Sequence, residues 1–200
     1  MARPSIERQS TDTKEIIFLT AARLFAKKGY NGVSMREISE QSGVTKPTIY
    51  YYFGSKEGIY EELIDTGMQY VQSSFENIIN IDVSAKAKLV LMTKTFFQIA
   101  IEAPEYSKFF MTIATPMTDN AILEKFKQKL RRQGNIIMAV IKEGIASGEF
   151  GASAKPELAA EIIGSVWQNF IWQQLSTKAK ILTDRLAEEI IEILFKGLNE

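Results

Sequence analysis

Apolar residues recur along this chain at intervals of three and four, and no stretch alternates with period two for long, so the pattern predicts helix almost throughout. Met1 to Ser10 is polar and basic and is expected to form a flexible arm. Asp12 and Glu15 have capping-box spacing, after which Ile17, Ala21, Leu24 and Phe25 make one apolar face that stops at Gly29. Ser34 and Glu37 form a second capping box and open a short helix that runs through Ile38 to about Gln41. Ser42-Gly43 breaks it. Thr45 is then expected to cap a third short helix, with Pro47 tolerated in its first turn and Phe53-Gly54 at its end. Ser55 caps a long fourth helix reaching roughly Asn80. Five more helices are expected near 84–103, 105–114, 119–147, 156–177 and 183–198, punctuated by Pro104, Pro116, Gly148 to Gly151 and Pro156. The fold class is all-α with nine helices. The expected domains are an arm at 1–10, a three-helix head at 11–54 and a larger helical body at 55–200.

Two short helices joined by a tight turn containing glycine are the parts of a helix-turn-helix, here at about 34–53, whose second helix enters the DNA major groove. At about 100° per residue, Ile49, Tyr52 and Phe53 share the inward apolar face of that second helix. Pro47, Thr48, Tyr50 and Tyr51 point the other way, and Lys46 sits at the flank with a side chain long enough to reach out. Each outward residue has a use on DNA. Lysine meets guanine acceptors or phosphate, and threonine and proline can touch a thymine methyl. Tyrosine hydroxyls hold phosphates. Lys56 lies in the first turn of the fourth helix, where its charge and the helix N-terminus both suit a phosphate, and Ser34 starts the second helix in the same way. Aromatics at helical spacing are more often core, which fits Tyr52 and Phe53; two adjacent outward tyrosines do not fit that explanation.

The whole-chain charge is zero, with 24 basic and 24 acidic residues. Its distribution changes the picture, because residues 1–57 hold nine Lys or Arg against six Asp or Glu, and the remainder holds 15 against 18. A mildly basic head on a mildly acidic body suits local phosphate contact. The chain has no cysteine and no histidine, so disulfides, thiol redox chemistry, zinc sites and the common nucleophile–base pairs lack their usual parts. No enzyme activity, cofactor or metal is expected. Nor does any apolar run approach the roughly 18 residues that a membrane span requires; no membrane partner is expected, and the expected location is cytoplasmic.

The stretch from Thr13 to Lys56 resembles the N-terminal domain of the TetR family of transcriptional regulators. The resemblance is carried by Ala21-Ala22-Arg23-Leu24-Phe25, Lys28-Gly29-Tyr30 and Met35-Arg36-Glu37-Ile38. It continues through Ser42-Gly43-Val44-Thr45-Lys46 and the run from Ile49 to Glu57. It implies an all-helical homodimer with recognition helices about 34–36 Å apart, double-stranded DNA with a palindromic operator as partner, and repression in preference to activation. Thr45, Lys46, Thr48, Tyr50, Tyr51 and Lys56 match the family's DNA-facing positions. Pro47 stands where the family commonly carries a small residue, often glycine.

In the body, the helices near 156–177 and 183–198 are apolar on more than one face, which is expected where one side meets a second subunit. Ile163, Gly164, Trp167, Ile171, Ile190 and Leu194 are the expected interface residues, the small Gly164 allowing close approach. The alternative is a thick monomer core. The middle helices carry large adaptable side chains, Met117 among them. Phe75, Met92, Phe96, Phe110, Met111, Phe126, Trp167, Asn169 and Phe170 are the expected lining of a pocket for an unidentified small apolar or aromatic effector. The competing view makes the same residues plain core. The function read from the chain is a sequence-specific DNA-binding repressor released from its operator by that effector. Its alternatives are a ligand-independent architectural DNA-binding protein, a transcriptional activator, and an enzyme or carrier with a vestigial head.

Overall fold

The described residues of the computed structural model form nine helices: α1 (Ser5–Lys28), α2 (Met35–Ser42), α3 (Lys46–Phe53), α4 (Lys56–Ile79), α5 (Ala85–Glu102), α6 (Pro104–Ile113), α7 (Asn120–Ala146), α8 (Pro156–Ser176) and α9 (Asp184–Asn199). The structure describes the backbone at 5–113, 120–177 and 179–199, and side chains at 13–113, 123–177 and 179–196. Pro116, Met117 and the first four residues of the expected arm lie outside the described residues. The all-α expectation holds, and every helix falls within a few residues of its expected place except at the N-terminus. There α1 begins at Ser5, so most of the expected arm is helical and Asp12 sits inside the helix, not at its cap. Polarity misled there: Glu7, Arg8 and Gln9 are good helix formers, and a polar stretch can be the wet start of a helix.

The chain divides into two compact units, Met1–Gly67 with Glu105–Phe126, and Met68–Pro104 with Lys127–Glu200. This partition differs from the expected boundary at 54/55, because the start of α4 and nearly all of α6 belong with the head. In the first unit α1 presents Ile17, Ala21, Ala22 and Phe25, all fully buried, and α2 and α3 pack on it and on each other. Ile38, Ile49, Ile59 and Leu63 complete that core with the buried rings of Tyr60 and Phe109. Tyr60 meets Phe25 and Phe109 edge-on, each at 5.0 Å between ring centroids.

In the second unit α5 packs against both α8 and α9. Trp167 is buried there with Phe75 and Met92, and its ring Nε1 donates to Thr93 Oγ1 at 3.1 Å. Thr93 in turn donates to the Leu89 carbonyl at 2.8 Å, so burying two polar groups leaves neither unpaired. Lys88 is almost fully buried and meets both carboxylate oxygens of Glu143, at 2.7 and 3.0 Å. The start of α5 is capped twice. Ser84 accepts from the Ala87 amide, and the Glu149 carboxylate accepts from the amides of Ala85 at 2.8 Å and Lys86 at 3.2 Å. A negative group on the positive end of a helix is favourable there.

The turn after α7 reverses at Gly148, whose φ of 75° suits glycine, and returns Phe150 to bond its amide to the Gly144 carbonyl at 2.9 Å. Phe150 is buried against Gly144, where a side chain would collide with its ring and stand 3.0 Å from the Ala85 Cβ. Gly144→Ala should therefore lower stability by about 1–3 kcal/mol through overpacking, even though alanine is the better helix former by about 1 kcal/mol. Urea denaturation measures this. An unchanged midpoint would mean that Phe150 swings aside freely.

Candidate nucleic-acid interface

The helix-turn-helix is built from local rules. Ser34 is the N-cap of α2 and accepts from the Glu37 amide at 3.1 Å, as half of the expected capping box. The other half is absent from the hydrogen bonds formed: the Glu37 carboxylate instead pairs with Lys28 of α1. Gly43 closes α2 in the left-handed conformation, φ 69°. Two serines then lock the turn. Ser39 Oγ donates to the Val44 carbonyl at 2.7 Å, and Ser42 Oγ accepts from the Val44 amide at 3.2 Å. Neither serine stood out in the sequence, although both are residue types that bond nearby backbone.

Thr45 occupies the N-cap position of α3 with extended backbone, but its hydroxyl makes no cap bond. It lies 2.8 Å from the Thr48 hydroxyl instead. The expected Thr45 cap is thus a cap in geometry only, since a threonine one turn further on competes for the same oxygen. Pro47 sits in the first turn, where its missing N–H costs nothing. Gly54 ends the helix with φ 70°, its amide donating to Tyr50 O at 2.9 Å, and Ser55 accepts from the Gly58 amide at 3.0 Å to begin α4.

Burial sorts the residues of α3 as the periodicity requires. Ile49 and Phe53 are buried, whereas Tyr51 is 84% and Tyr50 48% exposed. Lys46, Pro47, Thr45 and Ser34 are exposed as well, and Thr48 is half-buried. Tyr52, expected on the inward face, is half-buried at the border, its ring 5.3 Å from that of Tyr51 and 6.3 Å from that of Phe53. Of the eight expected DNA-facing residues, six lie on α3 or at its N-cap, and Ser34 is exposed at the N-cap of α2. Lys56 is placed differently. Its ammonium turns toward the α1–α2 loop and donates to the carbonyls of Tyr30 and Val33, and partial burial lowers its pKa from the ordinary lysine value.

The expected pocket residues fall into separate clusters. Phe75, Phe96 and Trp167 meet in the second unit, with centroid distances of 5.0–6.4 Å. Phe110 and Phe126 meet in the first unit at 5.9 Å, and Met111 is half-buried in that unit. Met92 is fully buried, Phe170 half-buried and Asn169 exposed, so Asn169 does not line an interior pocket of its own chain. A cavity of about 260 Å³ lies within the second unit, bordered by Phe150, Lys155, Leu158, Ile162, Ile191 and Phe195. None of the nine expected residues lines it, although Ile163 and Leu194 from the expected interface do. Gln133, buried on α7, has an amide nitrogen without a hydrogen-bond partner.

The expected interface needs a similar correction. Ile163, Trp167, Ile171 and Ile190 are buried inside their own unit, while Gly164 and Leu194 are half-buried. Apolar residues surround α8, and the sequence pattern did not separate the inward stripe from the outward one. The side facing out carries Leu158, Ile162 and Trp172 on α8, with Ile193 on α9. Trp172 is 59% and Ile193 71% exposed. Among the described residues no helix is long and apolar enough to cross a membrane, and no group of three acidic side chains is placed to hold a metal.

Residues 17–63 match the sequence profile of the bacterial regulatory proteins, tetR family. The chain is 27% identical over 180 residues to a fatty acid metabolism regulator protein of Bacillus subtilis, covering 90% of this chain and 92% of that one. It is 18% identical over 198 residues to the HTH-type transcriptional repressor KstR2 of Mycolicibacterium smegmatis, covering 98% and 96%. Among solved structures, the transcriptional regulator FadR of Bacillus subtilis in complex with stearoyl-CoA superposes with a TM-score of 0.78 at 25% identity, over 92% of this chain and 98% of that one.

The burial pattern of α3 makes a direct stability prediction. Tyr51→Ala should shift unfolding free energy by no more than about 0.5 kcal/mol, as for an exposed side chain. Ile49→Ala, two positions away, should cost about 2–5 kcal/mol. Denaturant titration of the two variants checks this, and equal losses would contradict the outward placement of Tyr51.

Proposed function

Since the chain belongs to the TetR family of bacterial regulatory proteins and is a DNA-binding transcriptional regulator, we propose that it is a homodimeric repressor that grips a palindromic operator with α2 and α3 of each subunit and lets go when an acyl-chain ligand binds. The observation that carries the DNA half is the face of α3, where Tyr50 and Tyr51 stand outward beside Lys46, Pro47 and Thr48 over a buried Ile49 and Phe53. A short helix has little reason to expose two adjacent aromatics unless they have a partner, and phenol hydroxyls and an ammonium suit phosphate and base edges. Ser34 adds an exposed hydroxyl at the start of α2.

The second copy is assigned to the exposed apolar residues of α8 and α9, above all Trp172 at 59% and Ile193 at 71% exposure, with Leu158 and Ile162 at the cavity's border. Large exposed apolar patches mark association sites in soluble proteins. Two related head domains would then read half-sites about one helical turn apart, about 34–36 Å. Changing Trp172 and Ile193 together to Glu should give a monomer in sedimentation, and a variant that remains dimeric would move the interface elsewhere.

The ligand half draws on the Bacillus subtilis regulator solved with stearoyl-CoA, and on features of the second unit here. The cavity of about 260 Å³ lies just below the roughly 300–1,000 Å³ usual for ligand sites, so a long acyl chain would enter as side chains part. Gln133, in the same unit but outside that cavity's lining, has a buried amide nitrogen without a partner, a donor that a carbonyl reaching it would satisfy. The helix α4 is continuous in the chain across Gly67 and Met68, where the units divide, and a continuous helix is one kind of element through which a ligand can bias a second site. A ligand acts on operator affinity only as far as it prefers one arrangement over another.

The decisive experiment measures binding of the full-length protein to the DNA upstream of its own gene, across salt concentrations and with added stearoyl-CoA. A protein making six to ten phosphate contacts should lose about 10³–10⁵ in affinity between 50 and 200 mM salt. Lys46→Ala and Tyr50→Ala should bind more weakly while staying folded. Stearoyl-CoA should release the complex; stearoyl-CoA that binds and leaves operator affinity unchanged would remove it as the effector.

A further inference from the structure

Lys56 opens α4, but its side chain is committed to the loop between α1 and α2. The ammonium donates to the Tyr30 carbonyl at 3.0 Å and the Val33 carbonyl at 2.9 Å, 26 and 23 positions earlier in the chain. It also stands 4.2 Å from the centroid of the Tyr30 ring, within cation–π range. That ring is itself held, stacked 6.0 Å from Phe25 and edge-on to Tyr60 at 4.9 Å. Tyr60 is buried one turn further along α4. Lys56 and Tyr60 thus clasp Tyr30 from one helix, above and to the side.

The loop so clasped is the lead-in to the reading head. Val33 precedes Ser34, the N-cap of α2, and α2 meets α3 through the serine-locked turn. At the other end, Gly54 and Ser55 join α3 directly to Lys56. The two ends of the helix-turn-helix are therefore pinned at a single residue, one by covalent continuity and one by the ammonium. Two of the three ammonium protons are directed to protein carbonyls. A compact, three-donor head on a flexible stem suits that double contact.

We propose that Lys56 is a positioning residue for operator binding, setting where α2 and α3 sit on the start of α4, and that it does not serve as a phosphate contact. The proposal rests on the operator-binding function above and separates two roles that a basic residue beside DNA can have. A phosphate contact contributes to binding of every duplex and to the salt slope, about one unit per lysine. A positioning residue contributes only where the geometry of the head matters, which is at a specific site.

The test uses the full-length protein, an operator duplex selected from a random pool, and an unrelated duplex. Lys56→Met should bind the operator at least tenfold more weakly, with the salt slope unchanged and binding to the unrelated duplex unchanged. The amides of residues 30–34 should exchange faster with solvent. A drop of about one in the salt slope, together with equal weakening on both duplexes, would overturn the proposal. Should Lys56→Met fail to fold by circular dichroism, Lys56→Arg carries the same test with the charge kept. Faster exchange at 30–34 accompanied by weaker operator binding supports positioning, and faster exchange with operator affinity intact overturns it. Wild-type protein that selects no duplex would defeat the operator-binding function itself, a result distinct from any of these.

Discussion

Helices of eight residues do not hold themselves together in water, since isolated helices shorter than about 12–15 residues are marginal. Both α2 and α3 are that short. Their existence depends on burying one or two apolar side chains each, Ile38 from the first and Ile49 and Phe53 from the second, in the core that α1 supplies with Ala21, Ala22 and Phe25. Everything about the reading surface follows from that dependence. Once Ile49 and Phe53 must face inward, the helical repeat sends Pro47, Tyr50 and Tyr51 outward, and the glycines at 43 and 54 have only to stop the helices on time.

The same dependence explains why the head was legible in the sequence. Caps, glycine stops and the inward stripe are local signals, readable within a few residues, and Ser34, Gly43, Gly54 and Ser55 all take the expected places. Tyr52 at the border and the hydroxyl of Thr45 depart from expectation because each has a close neighbour that competes for it. Lys56 departs for a different reason. Its partners lie more than twenty residues away, and no local pattern announces that two backbone carbonyls will be waiting there.

The body was legible as helices but not as surfaces. A helix such as α8, with apolar residues on every side, carries no mark of which side meets its own chain. Ile163, Trp167 and Ile171 turn inward, and Leu158, Ile162 and Trp172 remain outside. The aromatic residues expected to line one pocket similarly divide between two clusters, because ring content reports volume to be filled and not whether a ligand or a neighbouring ring fills it. The Glu149 carboxylate on the start of α5 and the Lys88–Glu143 pair, both long-range, were likewise invisible in the chain.

The exposed side chains of α3, Lys46, Pro47, Tyr50 and Tyr51, stand outside the core that Ile49 and Phe53 join. A residue that contributes little to stability can be exchanged without endangering the molecule, and the scaffold beneath it stays unchanged as the surface drifts. In this head the positions that would choose a DNA sequence and the positions that keep the protein folded alternate along the same eight residues while remaining energetically separate. On the proposed function, α3 would be an editable label on a fixed mount, with Lys46, Pro47, Tyr50 and Tyr51 the exposed positions at which it could be rewritten.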